Sequence, residues 1–246
     1  MAAETREGGL TLLPSAKPED RRALHQLLER AFDWSAQRLA LTPSMAATPS
    51  PVGQETLDPS GYGLPTILED LPGNDTTAFL ALQADLRQVV PQFRELRVGK
   101  GQDEQRKPLV TLDLVMQQGR IPAHRASDGT LLALALLTAT HNPDMPWLIL
   151  MDDLDHGLHL SAQIALAEAI RRVMRVRPTL QVVCTTHSPV LLDSFEPDEV
   201  RVMALDAEGY TRVRSLAEHP PLDGWRQGLS TGELWANLGE CWVLDG

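Results

Sequence analysis

An acidic run, Asp152-Asp153-Leu154-Asp155, follows directly on the apolar segment Trp147-Leu148-Ile149-Leu150-Met151, and a second apolar segment, Leu180-Gln181-Val182-Val183-Cys184, ends in Thr185-Thr186-His187-Ser188. Adjacent carboxylates repel one another unless they share a cation or a bound water, so the first cluster suits a hard divalent ion such as Mg²⁺. A solvated acidic turn is the plainer reading. The imidazole of His187 can donate to a phosphate or hold a water in place. A third cluster, Ala126-Ser127-Asp128-Gly129-Thr130, comes just before the apolar run Leu131 to Thr140. Ser127 or Asp128 would cap a helix there, Gly129 would let the backbone approach a ligand, and the free N–H groups of a helix start suit an anion. Capping alone also accounts for Ser-Asp-Gly.

What must position these groups is a β-α-β unit. Between the two apolar strands, Leu160, Ile164, Ala167, Ile170 and Met174 recur at three- and four-residue spacing, which predicts one buried helical face. A crossover of that kind makes the strands parallel, so the acidic end and the His-bearing end emerge at the same carboxyl edge. Open α/β sheets bind ligands at that edge.

Elsewhere the pattern is coarser. Residues 1 to 17 read as irregular, and Pro18-Glu19-Asp20 opens a helix with the stripe Leu24, Leu27, Leu28, Ala31, Trp34 and Leu39. Five prolines between 42 and 65 mark an irregular connection. A helical pattern runs from Leu64 to Val98, Pro108 to Met116 alternates as a strand, and Val200–Leu205 with Tyr210–Val213 flank a hairpin turn. The expected organisation is an N-terminal helix and linker over 1–60, a helical subdomain and strand over 61–125, the chemistry-bearing core over 126–215 and a loop-rich tail over 216–246.

With 246 residues, 43% of them hydrophobic, the chain can build a sizeable core. Its longest apolar run, Leu131 to Leu137, is too short to span a bilayer, and no charged start leads into an apolar signal segment, so a cytoplasmic protein without membrane contact is expected. Two cysteines, Cys184 and Cys241, make no disulfide framework. The net charge of −11 argues against nucleic acid over the surface as a whole. Two local basic groups are exceptions: Arg94, Arg97, Lys100, Arg106 and Lys107, read as a solvated loop, and Arg171, Arg172, Arg175 and Arg177, read as cations favoured at a helix C-terminus.

Taken together, the motifs resemble the carboxyl-terminal half of the ABC-type nucleotide-binding fold, in the branch that includes the RecF-like and OLD-like AAA-type ATPases. Leu148 to Asp153 looks like Walker B with the catalytic acid beside it, and Ser127-Asp128-Gly129-Thr130 is similar to that branch's signature. Leu154 to His159 resembles the run into the D-loop, and Thr185-Thr186-His187-Ser188-Pro189 the switch-histidine loop. Gly61-Tyr62-Gly63-Leu64-Pro65 and Gly232-Glu233-Leu234-Trp235 also look like landmarks, so that the resemblance runs from residue 39 to residue 240. It implies a three-layer α/β P-loop NTPase-like fold with a parallel sheet flanked by helices and an incomplete N-terminal lobe. It further implies an ATPase of the DNA-repair or phage-defence kind, using ATP and Mg²⁺ in composite sites of a head-to-tail dimer. Asp152 would then hold Mg²⁺ through water, Asp153 would orient the attacking water, His187 would contact the γ-phosphate, and Ser127, Asp128, Gly129 and Thr130 would cover a nucleotide held by the opposing subunit.

Two departures qualify that picture. Members of the family usually carry Glu where this chain has Asp153, and Asp is one methylene shorter. No GxxxxGK[ST] occurs in the sequence, and its one Gly-Lys pair, Gly99-Lys100, follows no glycine-rich loop. The expected partner is therefore either a second copy or a chain bearing Walker A. A pseudo-ATPase kept for dimerisation or regulation is the alternative. A metal phosphoesterase using Asp152, Asp153, Asp155, His156 and His159 is a third. Gly129 is expected at a solvent-facing helix start, where a charged substitution leaves the fold intact.

Overall fold

The computed structural model describes residues 36–54, 56–219 and 228–244, together with the backbone of 3–6 and 9–12. The helix expected from Pro18 lies outside the described residues, apart from its last member: Leu39 closes a strand instead. Before it, β1 (Ala3–Arg6) pairs antiparallel with β2 (Gly9–Leu12), where an irregular segment was expected.

The central sheet is short and parallel. Its order is β3 (Ala36–Leu39), β8 (Leu148–Met151), β9 (Gln181–Cys184). The register sets Arg38 beside Leu150 and Leu150 beside Val183, with Leu39, Met151 and Cys184 aligned at the carboxyl edge. Because side chains alternate, Ile149 and Met151 point to one face and are buried, whereas Arg38 and Val183 on the other face are exposed and Leu148 and Leu150 are half-buried.

Helices flank the sheet. In α4 (Asp128–His141) every residue from Gly129 to His141 is buried, as expected of a helix apolar all round. The crossover helix α5 (Leu160–Val176) buries Gln163, Leu166, Ala167, Ala169, Ile170 and Val173. The face predicted from spacing is thus rotated: Ala167 and Ile170 are inside, but Leu160 and Ile164 are 52% and 38% exposed. The buried stripe runs instead through Gln163, Leu166, Ala167, Ile170 and Val173, one position round the helix from the Leu160–Ile164 row, which faces solvent.

Ahead of α4, a short helix α1 (Pro43–Ala46), the strand β4 (Ser50–Pro51) and the helices α2 (Leu64–Asn74) and α3 (Thr76–Val89) lead into an antiparallel sheet. Its strands are β5 (Phe93–Gln102), β6 (Pro108–Met116) and β7 (Gly119–Pro122), with β4 also pairing β6. β5 corrects the sequence reading, which had a helical pattern through Val98 and took the basic residues from Arg94 to Lys107 as a solvated loop. Pro91 ends the helical stretch, and an irregularity in the pairing between Phe93 and Glu95 lets Phe93 and Leu96, three residues apart, both be buried while Arg94 and Arg97 are exposed. Gly99-Lys100-Gly101 runs extended opposite Thr111 to Leu109, so it forms no phosphate cradle. Lys100 pairs with Glu69 at 3.4 Å, Arg97 with Glu95 at 3.0 Å, and Arg120 with Asp113, while Arg94 donates to the carbonyls of Pro91 and Phe93.

Leu39, Ala46, Leu57 and Leu64 pack in the same core as Leu134, Ile149 and Leu166. A smaller core lies under the hairpin β10 (Arg201–Leu205) and β11 (Thr211–Ser215), built from Leu192, Val200, Val202, Leu216, Trp242 and Val243. The expected loop-rich tail holds a helix, α7 (Thr231–Leu238), which follows the short α6 (Pro189–Leu192) as the last α-helix described.

Three helices are tied by one buried charge cluster. Asp85 of α3 accepts from His141 Nε2 at 2.9 Å and from Arg172 of α5 at 2.7 and 3.0 Å. Burial pushes the Asp85 carboxyl up, but the hydrogen bonds from His141 and Arg172 outweigh it and hold the group below the ordinary carboxylate range. Arg177 donates to the carbonyls of Thr140 and Asn142 at 2.6 and 2.9 Å, and Arg171 to Ser194 O at 3.0 Å. The cationic end of α5 therefore serves as a set of specific tertiary ties, more than the helix-end electrostatics expected from sequence.

Candidate functional site

The carboxyl edge of the parallel sheet gathers the acidic run and the Thr-Thr-His loop. β8 ends at Met151, and the next two residues turn sharply. Asp153 has φ of 50°, a left-handed conformation that Asp tolerates better than most residues. The neighbouring loop holds it there: Thr185 Oγ1 accepts from the Asp153 N–H at 2.9 Å, and Thr185 O accepts from Leu154 N at 3.0 Å. A left-handed residue at a candidate site is the kind of local strain that the surrounding contacts must maintain.

Asp152 is half-exposed. Its Oδ2 takes Arg38 Nη2 at 2.5 Å, and its Oδ1 lies 3.4 Å from the Thr185 hydroxyl. A carboxylate and a hydroxyl at an open sheet edge are hard oxygen donors, and they suit a Mg²⁺ that keeps most of its own water. Asp155 points differently: it accepts from the Thr186 hydroxyl and so links the two loops. Ser188 continues that link, donating to Gln163 Oε1 at 2.6 Å while accepting from Leu191 N to cap α6. His187 is left at the tip, exposed and without a side-chain hydrogen bond among the described residues. Cys184, beside them, is no nucleophile at neutral pH, since burial, reinforced by Asp155, pushes its thiol up to about 11.

The Ser127–Thr130 cluster starts α4 as expected. Ser127 is the N-cap, accepting from Thr130 N at 3.3 Å, with the two hydroxyls 2.8 Å apart. Ser127 and Asp128 are exposed, whereas Gly129 and Thr130 are buried. This corrects the expectation of a solvent-facing Gly129. A Cβ there would lie 2.4 Å from the carbonyl oxygen of Gly157, which itself has φ of 70°. Two glycines thus let the first turn of α4 rest on the segment that follows the acidic run. Gly232 has a parallel role at the start of α7: a Cβ would sit 1.9 Å from Pro189 O, and its N–H donates to Asp193 at 2.8 Å. The Gly-Glu-Leu-Trp segment is therefore packed onto the helix following His187, with Ser230 and Glu233 forming a capping box.

These contacts predict that Gly129→Ala and Gly232→Ala each lower stability by about 2 kcal/mol or more, because backbone must shift to admit the methyl group. Thermal melting checks it. A wild-type melting temperature for either variant would contradict the packing described.

A cleft of about 310 Å³ lies beside the acidic run, lined on its floor by Leu39, Leu132, Leu136 and Leu166 and at its mouth by Arg38, Asp152 and His156. Arg38 went unnoticed in the sequence, since nothing in one chain's spacing reveals a partner 114 residues away. His159 is an N-cap, accepting from Ser161 N at 3.4 Å, and among the described residues no three His, Cys, Asp or Glu side chains are grouped to hold a metal. The phosphoesterase ligand set is not assembled.

Residues 28–193 match the family model described as "AAA domain, putative AbiEii toxin, Type IV TA system". Solved structures with a similar fold include a chain from work on ATP-driven dimerization and DNA-stimulated activation of SMC ATPases, at 12% identity and a TM-score of 0.45, covering 65% of this chain and 96% of that one. An Smc head domain with coiled coil and joint from Pyrococcus yayanosii matches at 15% identity and a TM-score of 0.45, covering 66% of this chain and 28% of that one. No curated protein matches the chain.

Proposed function

The chain belongs to the AAA-domain ATPase family whose model matches residues 28–193, and from that premise we propose that it contributes the Walker B and switch-histidine half of an ATP-hydrolysing site. The observation that carries this reading is the convergence of Asp152, Asp153 and His187 at one carboxyl edge, on loops that hydrogen-bond each other through Thr185. In this reading Asp152 holds the metal through water. Asp153, aimed by its left-handed backbone, accepts a proton from the attacking water or orients it. His187, free of internal partners among the described residues, donates to the γ-phosphate. Bound Mg²⁺ would supply neutralisation of the phosphate charge, and catalysis is then mainly positioning and electrostatics.

The β- and γ-phosphates need a glycine-rich loop and a lysine that these 246 residues do not contain. In this reading such a part docks on the β9 side of the sheet, the side nearer His187. β9 has one described strand neighbour, β8, and Val183 is 57% exposed on the face that also bears Leu148 and Leu150. Parallel sheets normally bury both faces, and an unpaired strand edge invites another strand. A strand laid along β9 would bring the loop at its own carboxyl end beside His187. The exposed Leu160 and Ile164, close to the Gly129–Gly157 contact, supply apolar surface for a second subunit, whose nucleotide Ser127 and Asp128 would face. The DNA-repair or defence setting and the cytoplasmic location belong to the same proposal. For the described residues, no helix is long and apolar enough to cross a membrane.

A catalytically silent regulatory module is the second reading, favoured by Asp153 in place of Glu. Under either reading the open face is an interface. Val183→Asp should leave melting within about 0.5 kcal/mol of wild type, because the side chain is exposed. It should weaken association with a phosphate-loop-bearing half at least tenfold, because an unpaired carboxylate would be buried there. Sedimentation of the mixed chains measures this, and unchanged association would place the interface elsewhere.

A further inference from the structure

We propose that Arg38 is a built-in counter-ion that occupies Asp152 until a divalent cation displaces it, and that the freed guanidinium then turns to the phosphates. This rests on the reading of Asp152 as the metal-holding residue. β3 is anchored by the buried Leu39, by Gln37 donating to Leu57 O at 2.7 Å and by Ala40 N donating to Pro59 O at 2.8 Å. The backbone of Arg38 is therefore set in register opposite Leu150, two residues short of Asp152.

The guanidinium is not fixed in the same way. It reaches Asp152 through Nη2 alone, and the two side chains are 69% and 55% exposed. A guanidinium fork can grip a carboxylate with two parallel bonds; this one uses a single contact in water, the kind of pair that exchanges readily. The carboxylate's second oxygen is near the Thr185 hydroxyl, so a cation arriving at Asp152 meets a site whose strongest bond is to a positive charge. A divalent ion held on the Oδ1 side and the guanidinium on Oδ2 repel each other across one carboxylate, so the singly bonded, exposed arginine is the one displaced. Once released, Arg38 stands on the open face of the sheet at the mouth of the cleft, where Arg is well suited to phosphate oxygens.

The test titrates the 246-residue chain with Mn²⁺, followed by electron paramagnetic resonance, in wild type, Arg38→Gln, Asp152→Asn and the double variant. Arg38→Gln should bind Mn²⁺ about threefold or more tightly than wild type, since the competing charge is gone. Asp152→Asn should remove that site in both backgrounds. A merely structural surface pair would leave Mn²⁺ affinity unmoved on loss of Arg38, so equal or weaker binding by Arg38→Gln, with Asp152→Asn still defective, overturns the counter-ion role alone. Equal Mn²⁺ binding in all four proteins, or none in any, overturns the assignment of Asp152 along with it.

Discussion

Asp85→Ala should cost about 3 kcal/mol of stability, one of the two largest effects expected of a single substitution in this chain. The carboxylate is nearly buried, and its loss strands His141 Nε2–H in the core and leaves Arg172 without its two hydrogen bonds. The figure sits at the low end for a broken buried pair because Arg172 is 39% exposed and keeps access to water and to Glu168. Chemical denaturation at neutral pH measures it; a loss below about 1 kcal/mol would mean that the three helices are held by apolar packing alone.

The same residue sets a pH dependence. Its folded pKa lies below the unfolded carboxylate value of about 3.9, so the unfolded chain takes up the proton first. Its contribution is therefore complete above that value, declines as pH falls through it, and is gone below the folded pKa. Asp85→Asn should show a shallower acid-side loss of stability than wild type.

The β-α-β unit was legible because its signals are local. Five apolar residues followed by acids, and a helix start marked by Ser127 ahead of an apolar run, need no knowledge of the rest of the chain. What escaped was set by long-range pairing. Ala36–Leu39 carries no strand pattern by itself and becomes β3 only by pairing with β8. Phe93–Gln102, rich in Arg, Lys and Gly, becomes a strand because β6 supplies nine register partners across a hairpin.

The site shows the same division. That Asp152, Asp153 and His187 would lie together at one sheet edge was readable from their place after two parallel strands, but the Arg38–Asp152 pair was not, nor was the left-handed turn at Asp153. Gly129 was misread for a related reason. Spacing indicates that a glycine permits a close approach without indicating what approaches, and here it is the chain's own Gly157. The rotated face of α5 is a further case: Leu160 and Ile164 continue the helical spacing, but the core takes the adjacent row of Gln163, Leu166 and Ala167.

In the proposed function Asp152 and His187 act on a triphosphate whose β- and γ-phosphates are held by a loop outside these residues. Asp152 is expected to act through the metal and His187 through the γ-phosphate, both groups that matter most as charge develops during transfer. Removing either should lower turnover by about a hundredfold or more, as loss of a single transition-state contact does. Asp153→Asn, which can keep the left-handed backbone, separates a role on the water from a role in the turn. The decisive measurement is single-turnover hydrolysis of ATP by the chain combined with a GxxxxGK[ST]-bearing half, comparing wild type with Asp152→Asn and His187→Ala. Hydrolysis by the wild-type pair and its loss in both variants, with normal melting, is the expected result; wild-type turnover in Asp152→Asn would contradict the assigned roles.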